Sequence, residues 1–177
     1  MKNLIKRYKF FIVTIVIVGI ITIFNKELGF KSLGIAGYSF KEMALIIPPV
    51  FILLGLLDIW VPKETMIRFM GEESGIKGVI LSIIIGSAAA GPLYGAFPVA
   101  AVFMKKGVKF TNILIFIGAW STTKIPMLLF EISALGKTFA LTRLLIDIPG
   151  IIIIAYILAA FISKDEIKKI YKNAEKL

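Results

Sequence analysis

The sequence predicts an all-α, polytopic integral membrane protein of four to five spans, with a broken or re-entrant helix at 86–98. Three observations predict it. Of the 177 residues 58% are hydrophobic, with a mean hydropathy of +0.92, whereas soluble domains are about 45–50% apolar. Several apolar segments approach the ~20 residues that a bilayer crossing needs. The Lys and Arg residues gather at the ends of those segments, where membrane proteins carry the charges that orient them.

The same placement explains the net charge of +10. In a soluble chain such a charge suggests nucleic acid; here it reads as topology, and no nucleic-acid partner is expected. Cysteine and histidine are both absent. That removes disulfides, thiolate and imidazole metal ligands, and Cys or His catalysis. Neither a metal nor a cofactor is expected, and no G-x-x-x-x-G-K-[ST] segment offers ATP coupling within the chain.

The elements follow in order. The start, M-K-N-L-I-K-R-Y-K before an apolar run, resembles a signal peptide but lacks a small-x-small cleavage site. It reads as a retained first span at 10–24. Residues 26–41 form a polar, Gly-containing connection. A second span covers 43–60, with Pro48 and Pro49 removing two backbone donors inside it, which should kink or break the helix. V-P-K-E-T-M-I-R-F-M-G at 61–71 interleaves Met66, Ile67, Phe69 and Met70 with Lys63, Glu64 and Arg68, the pattern of a short helix lying in the membrane interface. Residues 76–104 are one apolar stretch interrupted by G-S-A-A-A-G-P-L-Y-G-A-F-P. A fourth span at 112–135, a turn at Gly136 and Lys137, and a fifth span at 139–162 complete a single transmembrane domain over 1–162. The tail, 163–177, pairs Ser163 with Glu166 as a capping box. It spaces Ile167, Ile170, Tyr171, Ala174 and Leu177 as the apolar side of a basic amphipathic helix, suited to an anionic membrane face or else a solvated tail.

Charge counting separates two topologies. If 76–104 crosses once, basic residues divide nine against eleven and orientation is weakly specified. If the segment enters and returns on one side, they divide fifteen against five, a strong positive-inside pattern. Its 29 residues would make a helix of ~43 Å, long for one crossing of ~30 Å and short for two. Two half-length helices joined through Gly91–Pro98 fit a re-entrant hairpin. Such backbone is tolerated at depth where protein buries it or where it lines a wet cavity. A single crossing, with weak orientation, would instead suit an antiparallel dimer.

Lys124 is the sharpest single residue. It stands near the middle of the fourth span, where a cation costs at least about 2.5–3.5 kcal/mol. Counted from the Gly136 turn, Asp147 lies at similar depth, so a Lys124–Asp147 pair, or a polar cavity that the two share, is expected; Glu131 and Arg143 form a second expected pair. Each pair has a bland reading, in which it only locks two helices, and a functional one, in which Lys124 meets an anionic solute or takes part in a proton relay. Trp120, Ser121, Thr122, Thr123 and Pro126 surround Lys124. Pro126 cannot donate to the Thr122 carbonyl, which is thereby freed. Hydroxyls and freed carbonyls in a broken helix suit a solute pathway, or they bond within their own helix. Ser121 and Lys124 share a helix face, but such a spacing is commonplace and no enzyme is expected. Ser87, Gly91 and Gly95 follow small-residue packing spacing, whereas Pro92 and Pro98 serve no packing face.

The run G-P-L-Y-G-A-F-P-V-A-A-V-F-M-K-K-G, with its preceding small residues and following apolar helix, resembles the predicted permease family of ArsP-type and YraQ-like proteins. V-P-K-E-T-M-I-R-F-M-G resembles that family's segment before the motif. The resemblance covers about 43–162 and corresponds to one of the family's two related halves. It implies a multi-pass permease of the cell membrane, a secondary transporter of an unknown small solute working as a dimer of half-transporters. Gly91, Pro92, Gly95 and Pro98 are the motif positions it carries over. The ArsP-type motif holds a Cys among its small residues and this stretch has none, which argues against thiolate capture of trivalent arsenicals. The alternative is a non-transporting membrane scaffold or accessory subunit.

Overall fold

A computed structural model describes residues 8–89 and 91–175. The basic residues before Tyr8, together with Ala90 and Leu177, lie outside them. Among the described residues every regular element is helical. The chain divides into two compact units, Met1–Pro49 and Val50–Leu177.

In the first unit, α1 (Lys9–Phe24) follows the first apolar run and ends at Asn25. The Asn25 side chain accepts from Leu28 N at 3.0 Å, a cap that starts α2 (Lys26–Trp60) at once. The expected polar connection at 26–41 is therefore helical. Its Asn cap and Glu27 in the first turn favour helix, and its glycines are too dispersed to stop it. Pro48 and Pro49 lie inside α2 without ending it.

The second unit begins inside α2, at Val50, and carries the remaining elements. α3 (Lys63–Met70) starts after Pro62 and stops at Gly71. α4 (Gly75–Ala88), a 3-10 turn (Leu93–Gly95) and α5 (Ala96–Lys105) replace the apolar stretch 76–104. α6 (Phe110–Thr122) and α7 (Ile125–Leu135) follow in line, then α8 (Lys137–Phe161) after Gly136, whose φ of 89° suits glycine. α9 (Lys164–Ala174) closes the chain on a capping box: Ser163 Oγ accepts from Glu166 N, and Glu166 accepts from Ser163 N.

α4 and α6 lie side by side and run the same way. A Cβ on Gly78 would lie 2.3 Å from the Asn112 amide, near both helix starts. One on Gly86 would lie 2.6 Å from the Phe116 carbonyl oxygen, near both ends. Only small residues permit this approach, and Ser82 between them is fully buried. By Lys109 the chain has returned to where α4 began: Lys109 N donates to the Met70 carbonyl at 2.9 Å. Asn112 Nδ2 donates to the same carbonyl and to Ser74 Oγ, at 2.9 and 3.1 Å. α5 thus runs back toward the start of α4. Met66, Met70, Val99, Phe103, Phe116 and Trp120 form the main core; Ile115, Ile151 and Ala155 join α6 to α8.

α9 does not lie alone. Tyr171 packs on the main core, and its hydroxyl donates to the Val108 carbonyl at 2.5 Å. Burial, with Glu72 nearby, pushes the phenol well above its ordinary value.

Among the described residues two stretches are long and apolar enough to cross a membrane: Phe110–Leu135, which holds α6 and α7, and Lys137–Phe161. α1, α4 and the segment 93–105 are apolar but shorter.

Candidate functional site

Two helix breaks meet in the second unit. The first follows α4. Ala89 is extended at φ −68°, ψ 143°, Gly91 takes a φ of 104° and Pro92 is extended again. A φ of 104° strains any residue with a Cβ, so glycine is required there. The second separates α6 from α7. Pro126 has no N–H for the Thr122 carbonyl, and Lys124 turns to φ −56°, ψ 134° as the residue before α7.

Side chains of the second break reach the backbone of the first. Lys124 Nζ donates to the Gly91 carbonyl, as does Trp120 Nε1 at 3.3 Å. Ser87 and Thr123 share a hydroxyl hydrogen bond of 2.7 Å. Trp120 is buried, stacks edge-on with Phe116 and lies 3.4 Å from a Cβ placed on Gly95. The C-terminal end of α6 is closed locally: Thr122 and Thr123 hydroxyls donate to the Gly118 and Ala119 carbonyls at 2.9 and 3.0 Å.

The freed Thr122 carbonyl accepts from Arg143 Nη2 at 2.8 Å. The same guanidinium holds Glu131 through Nε and Asp147 through Nη1, each at 2.8 Å. Arg143 therefore ties the end of α6, the middle of α7 and its own helix α8 together. The Glu131 carboxylate is buried, which makes this tie costly to break.

The expected Lys124–Asp147 pair does not form. Asp147 lies one helical turn beyond Arg143, within reach along the same face, and the guanidinium takes it. Lys124 turns instead to the carbonyl of Gly91. The expected Glu131–Arg143 pair is present at 2.8 Å. Of the other candidates, Ser121 and Pro126 are exposed, and Pro98 is half-buried in the first turn of α5. Sequence reasoning missed Gly78, Ser82, Gly86 and Asn112, although small residues every four positions signal such a contact. Among the described residues no group of three His, Cys, Asp or Glu could hold a metal ion.

The arrangement therefore places two donors on one backbone acceptor, beside two carboxylates on one guanidinium. It sits near the middle of the 26-residue apolar stretch Phe110–Leu135. A family model, ArsP_1, described as a predicted permease, matches residues 31–177. Neither a curated protein nor a solved structure matches.

Proposed function

We propose a transport role from a plain premise: the chain belongs to the predicted permease family. It is a small integral-membrane permease of the cell membrane, a secondary transporter of a small solute, and two copies assemble as paired half-transporters. The segment 75–105 enters the membrane and returns on the same side, and its turn meets the α6–α7 break near mid-depth. Discontinuous helices meeting at that depth are the usual form of a transporter's binding layer. Ser87, Gly91, Pro92, Gly95 and Pro98 on one side, and Trp120 to Lys124 with Pro126 on the other, line the pathway.

The observation that carries this reading is the bond from Lys124 to the Gly91 carbonyl. An ammonium among apolar helices is costly, and a neutral carbonyl brings no opposite charge into contact with it. A solute with an anionic or strongly accepting group competes for Lys124 and for the Trp120 N–H together. Binding then separates the two breaks, which couples occupancy to movement.

The test is a thermal-shift survey of small solutes on the purified protein, repeated with Lys124→Met. At least one stabilising solute is expected, and its effect should vanish in the variant while the solute-free transition stays within a few degrees. A variant that loses assembly, with no solute stabilising the parent, favours the second reading, a scaffold or accessory subunit. That reading draws on Arg143, which joins α8 to α6 and α7 through Thr122 and Glu131 and pairs with Asp147 on its own helix. Accessibility of tags at both termini in intact cells tests the hairpin, which requires them on one side.

A further inference from the structure

An open groove of about 460 Å³ lies away from the helix breaks, between α3, α4 and α5. Val61, Met66, Phe69, Leu81, Ile85 and Phe103 wall it, and Thr65 is the one polar residue of its lining. Its volume falls in the ~300–1,000 Å³ range of ligand sites. Water gains nothing from such walls.

The surroundings carry one sign of charge in excess. The Arg68 guanidinium lies over the ring of Phe69, 5.6 Å from its centre, and that ring is part of the groove wall. The Lys63 side chain reaches beside Gly107. Lys106 Nζ donates to the carbonyl of Val61 at 2.7 Å, and Val61 is the residue where the groove begins. Over 61–77 and 105–109 six residues are basic and three acidic: Glu64 on α3 and Glu73 are exposed, and Glu72 faces Lys109 at 3.4 Å. α9, the amphipathic helix of this chain, already rests on α5 through Tyr171.

We propose that this groove holds an acyl chain of one anionic phospholipid, whose headgroup is bound by Lys63 and Arg68. The inference needs the chain to reside in a membrane and does not need it to transport. Apolar walls take the hydrocarbon, and the cations select the headgroup. Each basic residue near an anionic lipid contributes about fivefold in affinity. Two of them give a preference of roughly 25-fold over a zwitterionic lipid.

The experiment is native mass spectrometry of the full chain in neutral detergent, with dioleoylphosphatidylglycerol or dioleoylphosphatidylcholine added. One retained phosphatidylglycerol per chain is expected. Lys63→Gln and Arg68→Gln should each weaken it about fivefold, while Arg68→Lys keeps it. Ile85→Trp fills the groove and should abolish retention of both lipids. Leu81→Trp fills it from the other turn of α4 and stands in if the first variant misfolds. Equal retention of the two lipids overturns the proposal, as does phosphatidylglycerol that survives either filled groove. A filled groove that converts a dimer to monomer with the lipid count unchanged assigns the face to a second copy and also overturns it. No flux is measured, so a failed transport reading leaves these outcomes legible.

Discussion

The two helix breaks differ in what makes them. The break after α4 is a backbone device: a glycine at positive φ, a proline and small residues, with no charged side chain. The break after α6 is a side-chain device. One missing N–H at Pro126 frees a carbonyl, Arg143 takes it, and Lys124 and Trp120 reach outward. The first supplies the acceptor and the second the donors. Each is incomplete alone, because buried backbone groups must find partners, and their complementarity explains why they sit together.

That difference is open to attack at the side-chain break first. Arg143→Met leaves the buried Glu131 carboxylate and the Thr122 carbonyl without their donor. It should cost about 3–5 kcal/mol of stability, read by chemical unfolding in detergent; a cost under about 1 kcal/mol would show that the guanidinium is not what holds α6, α7 and α8 together. The backbone break responds next. Gly91→Ala forces a Cβ into a conformation that costs about 1–3 kcal/mol, whereas Gly95→Ala meets only an ordinary contact with Trp120 and should stay within about 0.5 kcal/mol. Equal effects would remove the distinction between these two glycines.

A smaller effect is expected where α9 holds the return end of α5. Tyr171→Phe removes one hydrogen bond to Val108 and should cost about 1 kcal/mol. The phenol is held above its ordinary value in the folded chain. The phenol's contribution to stability is therefore fully present below about pH 10, the unfolded value, and is lost as pH rises from there through the higher folded value. Protease sensitivity of the tail at rising pH reads this, and Tyr171→Phe should flatten the dependence. The smallest effect belongs to the hydroxyl pair. A double-mutant cycle of Ser87→Ala and Thr123→Val should give a coupling of about 0.5–1 kcal/mol, and zero coupling would mean that the breaks meet through Lys124 and Trp120 alone.

Depth along the chain is legible in the sequence; facing is not. Counting from the Gly136 turn puts Glu131 opposite Arg143, as found, and Pro126 marks the Thr122 carbonyl as free. The same count puts Lys124 level with Asp147 but says nothing about which neighbour the side chain turns toward. Arg143, one turn away on Asp147's own helix, decides that. The run of glycines and prolines at 86–98 announces a break, yet the partner at its tip comes from α6, more than 25 residues later. Local signals cannot name so distant a partner. Ser121 shows the converse: hydroxyls next to Lys124 in sequence look equivalent, but helix rotation leaves Ser121 exposed and sends Thr123 inward.

Lys124, Arg143, Glu131 and Asp147 are formally two positive and two negative groups. In a carrier, a binding layer that is electroneutral when empty takes on the charge of whatever it holds. Membrane voltage would then act on the loaded crossing and leave the empty return untouched, at about 2.3 kcal/mol per charge for each 100 mV.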